Sequence, residues 1–380
     1  MKKVISIILW AIIGISVGVL ISDHISEIAG GLQSSSTDSN GSILLFFVVF
    51  AAILLSYFVH IAAHEAGHLV AGLMSGYSFV SFRLFSFTLI KINGRIVRRK
   101  YNIVGTAGQC LMSPPGTADG AFPVILYNLG GAAMNFLLSL VTFAVLIILP
   151  DAAALASVAL LVSAIIGAII FLTNLIPLKI NGIANDGYNA LTLGKREKAR
   201  RAFWLLLKIN ASVIQGSRYR DFPAEWFEYI DCGDLSDPIV ASLVLMKYNY
   251  LVDKMELDEA KTLAGSMLSS PGKMLELHKN ELRCELLFYE LIGLCRDEEI
   301  DRQYDMKLRK YVKATSSYIS RQRLLYAYAK LFLCDDDKAD AALRLFEKAC
   351  LKSPFSGDIE GERELVGLVD SLIPGCDRKE

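Results

Sequence analysis

The sequence predicts a mainly α-helical fold: a polytopic helical membrane domain of about four spans with a membrane-surface β-hairpin, then a soluble array of tetratricopeptide-like helical hairpins. Three observations predict it. Hydrophobic residues make up 53% of the 380, and the mean hydropathy is positive. Charged residues are scarce before about residue 80 and between Phe122 and Leu178, and dense after Lys195. That asymmetry divides the chain into a membrane-embedded part, residues 1–193, and a cytoplasmic helical part, residues 194–380. Between two of the long apolar runs, the pattern turns to β-branched and aromatic residues around an Asn-Gly pair. Net charge is zero, so nothing points to nucleic acid as a partner. The seven cysteines are odd in number and lack CxxC spacing. Reduced thiols in a cytosolic compartment fit them better than a disulfide framework.

Val4–Ile21 is too long for a signal-peptide core and has no clean cleavage site before Asp23, so it reads as a retained first span. Ile43–Met74 is the second. Its 32 residues would make about 48 Å of helix against about 30 Å of hydrocarbon, so it must tilt or protrude. Ser75-Gly76 supplies its C-terminal stop. Phe79–Ile92 and Arg95–Val104 read as two strands joined at Asn93-Gly94, a strong hairpin signal. Ile125–Leu149 and Ala153–Leu175 are the third and fourth spans, linked at Pro150-Asp151. Ala159, Ser163 and Gly167 form a small-residue stripe suited to close helix packing.

From about Lys195 the pattern is helical with short breaks. Ala342, Phe346, Ala349 and Pro354 match the spacing of a tetratricopeptide second helix, with a weaker echo at Ala260, Ala264, Met267 and Pro271. No strict repeat connects them, so the expectation is a helical-hairpin array. Such an array either offers a groove to a protein partner or caps the membrane domain.

Basic residues set the orientation. The 23–42 connection has no Lys or Arg. The 75–123 connection has Arg83, Lys91, Arg95, Arg98, Arg99 and Lys100, and the chain after the fourth span begins Lys195, Arg196, Lys198. The positive-inside rule then places the N-terminus, the 75–123 loop and the C-terminal half in the cytoplasm of a multi-pass cell-membrane protein.

The chemistry centres on His64-Glu65-Ala66-Gly67-His68 in the second span. Two imidazoles one turn apart are the HExxH arrangement that holds a catalytic zinc. Ionisable groups in a spanning segment are costly and are functional by default. Glu65 is offset by about 100° from His64, off the ligand axis and placed to take a proton from water. A third ligand must come from another element. Asp186, in Asn185-Asp186-Gly187 beyond the fourth span, is the best candidate, with Asp119 as rival. His60 extends the histidine stripe as an outer partner or alternative ligand. Cys110 reads as a buried structural cysteine, or as a thiolate that approaches the metal. The strand pair has two readings: it takes extended substrate backbone by strand addition beside the metal, or it only packs on the helices.

Three pieces in order carry a family resemblance: His64-Glu65-Ala66-Gly67-His68, then Gly131-Ala132-Ala133-Met134-Asn135, then Asn174-Leu175-Ile176-Pro177 leading to Asp186-Gly187. Over about residues 43–190 the chain resembles the site-2 protease family of membrane-embedded zinc metalloproteases. The resemblance implies hydrolysis of a peptide bond in membrane-associated protein or peptide precursors. It implies one zinc ion held by His64, His68 and Asp186, with Glu65 as general base. Asn135 would contact substrate or the developing oxyanion, and Asn174 would be a supporting polar group. The chain departs from the family in having Ala132 in place of a proline and a longer stretch between Pro177 and Asp186. No segment reads as a PDZ module. The alternatives are an interfacial zinc protease of another lineage with Glu225 or Glu228 as third ligand, and a non-catalytic membrane scaffold.

Overall fold

The computed structural model describes residues 39–373 apart from 102, 104–105, 117–121, 150–153, 181–182, 194–195, 229–234, 236 and 271–273. The expected first span, the Pro150-Asp151 link and Asp119 lie outside the described residues. The chain is mainly helical. Three helices form the apolar part: α1 (Ser39–Met74), α2 (Val124–Ile148) and α3 (Ala154–Leu175). Each is long and apolar enough to cross a membrane. Their outer faces carry exposed Phe46, Phe47, Phe50, Leu137, Phe143 and Ile147, an apolar surface that water would not tolerate at this extent. Helix α1 ends as its sequence dictates. Gly76 takes φ +82°, the Tyr77 N–H donates to Gly72 O at 2.9 Å, and the Gly76 N–H to Leu73 O at 3.1 Å. That pairing is a Schellman stop.

Between α1 and α2 lies an antiparallel sheet of order β3-β2-β1-β4, formed by β1 (Ser78–Leu84), β2 (Phe87–Ile92), β3 (Arg95–Lys100) and β4 (Gly108–Ser113). Asn93 and Gly94 adopt φ 49° and 79° between paired Ile92 and Arg95, a type I′ turn. The single long strand expected over Phe79–Ile92 is broken by a second two-residue turn at Phe85-Ser86. Phe85 holds φ 52° there, unusual for an aromatic residue, and its ring meets Phe58 at 5.0 Å. Tertiary packing overrode the local preference.

After the two-residue strands β5 (Lys179–Ile180) and β6 (Ile183–Ala184) come α4 (Asp186–Leu193) and α5 (Glu197–Ile214). The described residues beyond α5 include α6 (Glu225–Glu228), α7 (Pro238–Asp253), α8 (Leu257–Ser269), α9 (Glu276–Ile292), α10 (Asp297–Gln303), α11 (Met306–Ala314), α12 (Ile319–Ala327), α13 (Asp336–Lys352) and α14 (Ser356–Ser371), with short turns of other helix types at Tyr219–Asp221 and Tyr328–Phe332. Ala260, Ala264 and Met267 on α8, and Ala342, Phe346 and Ala349 on α13, all face inward. One apolar core runs from Tyr77, Val80, Ile90 and Met112 through Leu193 to Trp204, Ile209 and Met246. It crosses the division expected at 193/194, because the amphipathic α5 buries its apolar face against β4 instead of facing only the array. Cys110, Cys284, Cys295 and Cys350 are free and buried. Cys334 is disulfide-bonded, so the expectation of uniformly reduced thiols does not hold there.

Candidate metal centre

Helices α1 and α2 meet backbone to backbone. A Cβ on Gly67 would lie 2.3 Å from Gly130 O, and one on Gly130 would lie 2.5 Å from Gly67 O. Only glycine permits this approach. It brings the His64/His68 face of α1 onto Gly131, where a Cβ would come within 2.6 Å of His64 Nε2 and 2.7 Å of His68 Nε2. The space in front of both imidazoles therefore exists because residue 131 has no side chain. His64 lies ten residues before Met74, about 15 Å along the axis from the helix end.

Asp186 closes the group from the first turn of α4. Its Oδ2 lies 3.1 Å from His64 Nε2 and 3.5 Å from His68 Nε2, and the two Nε2 atoms are 3.1 Å apart. Among the described residues, His64, His68 and Asp186 are the group whose donor atoms could hold a metal. Ligands about 2.0–2.1 Å from a tetrahedral zinc lie about 3.3 Å from one another, which matches the observed spacings. Asp186 Oδ2 is buried and receives no hydrogen bond. Two imidazole nitrogens and a carboxylate oxygen this close repel unless a proton or a metal cation lies between them, and a zinc ion would be held by all three at once, so the residues fit zinc.

The outer atoms of both imidazoles are fixed. His68 Nδ1 donates to Tyr127 O at 2.8 Å, which leaves Nε2 as the lone-pair nitrogen. His64 Nδ1 lies 3.0 Å from Asn135 Nδ2, and Asn135 Oδ1 lies 3.0 Å from His60 Nδ1. His60 Nε2 is 3.3 Å from Ser163 Oγ. If Nε2 of His64 presents a lone pair, its Nδ1 carries the proton, and the Asn135 amide must be turned over so that its oxygen, not its nitrogen, faces His64. The amide N–H then donates to His60 Nδ1, and His60 Nε2–H donates to Ser163. His60 and Asn135 are both 0% exposed, so this relay runs through dry protein. Sequence reasoning offered His60 as an outer partner or a ligand, and the geometry gives it the outer position. It offered Asn135 as a contact to substrate or oxyanion, but both amide atoms are engaged by imidazoles.

Glu65 is 9% exposed and points toward β4. It accepts a hydrogen bond from the Cys110 backbone N–H, and a Cβ on Gly108 would strike its Oε1 at 2.5 Å. The Cys110 carbonyl accepts from Tyr127 Oη at 3.0 Å. Both main-chain groups of Cys110 on the β4 edge are thus in use, so a peptide adding to β4 here would displace Glu65. The other edge, β3, lies at the far side of the sheet. Burial, then the Glu65 carboxylate, push the Cys110 thiol up to about 12, which suits a neutral buried cysteine.

Sequence reasoning missed Asn185. Its Nδ2 donates to Thr173 O and Ile176 O, each at 2.6 Å. Its Oδ1 accepts from Leu178 N at 3.0 Å and Tyr188 N at 2.9 Å. One amide therefore caps α4 and ties it to the end of α3, which fixes Asp186. An Asn immediately before a helical Asp-Gly is a readable N-cap signal. The longer stretch after Pro177 is taken up by the β5–β6 pairing, Lys179 opposite Ala184, and does not move Asp186 away. The Asn174 amide bonds back to Ile170 O at 2.9 Å within α3. Glu225 and Glu228 sit on α6 and are not part of the metal group. Comparison with protein-family models, curated proteins and solved structures returns no match.

Proposed function

We propose that the chain is a membrane-embedded zinc metallopeptidase of the site-2 protease type, hydrolysing peptide bonds of membrane-associated protein or peptide precursors from the cytoplasmic side. One observation carries this reading: two imidazole nitrogens and a carboxylate oxygen converge at tetrahedral spacing inside an apolar helix bundle, with the Glu65 carboxylate beside them, held by the Cys110 backbone N–H. Zinc held by His64, His68 and Asp186 would supply Lewis acidity and make water nucleophilic near neutral pH. Glu65 takes the proton of the attacking water as the new C–O bond forms, and returns it to the amine nitrogen as the C–N bond breaks. Asn135 and His60 hold the His64 ring in one tautomer and orientation. Asn185 holds Asp186 in place. Basic residues in the sheet connection and after α3 support a cytoplasmic site, and the helical array, read as tetratricopeptide-like, would present substrate or cap the site.

The test compares membrane peptides from cells carrying the wild type and Glu65→Gln, together with the zinc content of both purified proteins. The reading expects cleavage to fall by about 10²–10⁴-fold with zinc retained. Unchanged cleavage in Glu65→Gln would reassign the base, and absence of any processed peptide in the wild type would favour a scaffold.

A further inference from the structure

The β2–β3 hairpin carries cations that its own part of the chain does not answer. Lys91, Arg95, Arg98, Arg99 and Lys100 are all exposed, and no Asp or Glu occurs between residues 66 and 118. The ion pairs among the described residues involve none of the five. The register sorts them by face, because residues opposite each other in a ladder share one. On the outer face the pairs are Phe87 with Lys100, Leu89 with Arg98, and Lys91 with Ile96. Each sets an apolar residue beside a cation, and Arg98 lies over the Phe87 ring at 5.1 Å. The opposite face holds the buried Thr88 and Ile90, and Arg99 and Arg95 belong to that face.

The outer face begins beside lipid. The Phe85 ring packs on Phe58, which is 48% exposed on a helix apolar enough to cross a membrane. Phe87 follows the Phe85-Ser86 turn directly, and Lys100 is its partner across the ladder. An unpaired ammonium or guanidinium is costly in hydrocarbon. It stays where phosphate groups or water reach it, with its methylene stem along apolar surface. Headgroups must therefore come to this end of the sheet. A zwitterionic headgroup brings its own ammonium with each phosphate. An anionic headgroup brings net negative charge, the complement of five cations with no acid among them. The apolar member of each pair has a use against acyl chains, and none against nucleic acid or a soluble phosphate.

We propose that the outer face of the β2–β3 hairpin binds an anionic glycerophospholipid, with Arg98 and Lys100 on its phosphate and Phe87 against its acyl chains. On the topology proposed above, this is the cytoplasmic leaflet, which carries the negative surface potential. The choice of leaflet rests on that topology; the binding depends neither on it nor on hydrolysis.

The experiment titrates full-length protein in detergent with dioleoyl phosphatidylglycerol or dioleoyl phosphatidylcholine, and native mass spectrometry reads the first bound lipid. Phosphatidylglycerol should bind about tenfold or more tightly than phosphatidylcholine. Arg98→Gln/Lys100→Gln should weaken phosphatidylglycerol by about tenfold or more. Arg95→Gln/Arg99→Gln removes the same charge from the other face and should weaken it by less than about threefold. Free glycerol phosphate should not displace the lipid. Equal affinity for the two lipids would overturn the proposal and favour an acidic polypeptide as the occupant. Displacement by glycerol phosphate would make this a site for a soluble phosphate, and equal losses in the two double variants would reduce it to general charge. Either result overturns the proposal, as does unchanged binding to a folded Arg98→Gln/Lys100→Gln protein. If that variant does not fold, Ile96→Glu decides: position 96 is 56% exposed, and a carboxylate there should weaken phosphatidylglycerol and leave phosphatidylcholine unchanged.

Discussion

Asn135 is the residue whose geometry says most about how the centre is held. Its amide lies 3.0 Å from each of two imidazoles and is fully buried. Replacing it removes the partner of His64 Nδ1 and leaves His60 Nδ1 unsatisfied, at roughly 1–3 kcal/mol per buried orphan. Asn135→Leu should lower zinc affinity by about 10–100-fold, read by competition with a chelator, and His60→Leu should lower it less. Unchanged affinity in Asn135→Leu would remove the orienting role. Local spacing made His64, Glu65 and His68 legible, because ligands one helical turn apart share a face whatever the fold. Asp186 came from the order of segments rather than from any period. Asn135 was found by resemblance, and the geometry sets its amide between two imidazoles. Its two partners, one turn apart on α1, come within reach only once α2 crosses that helix.

At the scale of elements, the glycine contact between α1 and α2 sets the site. Gly67 and Gly130 let the backbones touch, and Gly131 leaves the space before the imidazoles. Gly131→Ala adds a methyl 2.6 Å from His64 Nε2, closer than a carbon can approach a metal-binding nitrogen. The variant should lose most of its zinc while keeping its helical circular-dichroism signal. A fully metallated Gly131→Ala protein would show that the helices separate more easily than this packing implies. The spans were legible from hydropathy to within a residue or two for α2 and α3. The sheet was legible only as its Asn93-Gly94 hairpin. Its fourth strand, Gly-Gln-Cys-Leu-Met-Ser, carries no alternation to announce it, and it is the strand against which Glu65 rests.

For the whole molecule, the array is joined to the sheet and does not hang from it. Trp204 Nε1 donates to Pro115 O at 3.0 Å, and Tyr101 stacks on Tyr318 with centroids 6.1 Å apart. Contacts between such distant segments leave no sequence signature, so the shared core across 193/194 was not legible, whereas the membrane class was plain from composition. The array also bears a pH-dependent cost. With the Asp358 carboxyl at about 8 against an ordinary value of about 3.9 when unfolded, the folded state binds the extra proton between these limits. Stability contributed by that protonated form is complete below about pH 4 and is lost as pH rises toward 8. Asp358→Asn removes the dependence, so the melting temperature of the variant relative to wild type should climb from pH 4 to pH 8 and then level off. A constant difference would show that Asp358 is solvated.

The account stands on a zinc ion held by residues from two separate elements, and the direct measurement is metal content with X-ray absorption on the purified full-length protein. The prediction is one zinc per chain with nitrogen and oxygen ligands at about 2.0–2.1 Å, and loss of that zinc in Asp186→Ala. Metal-free wild-type protein, or an Asp186→Ala variant with the same zinc and the same ligand shell, would contradict it.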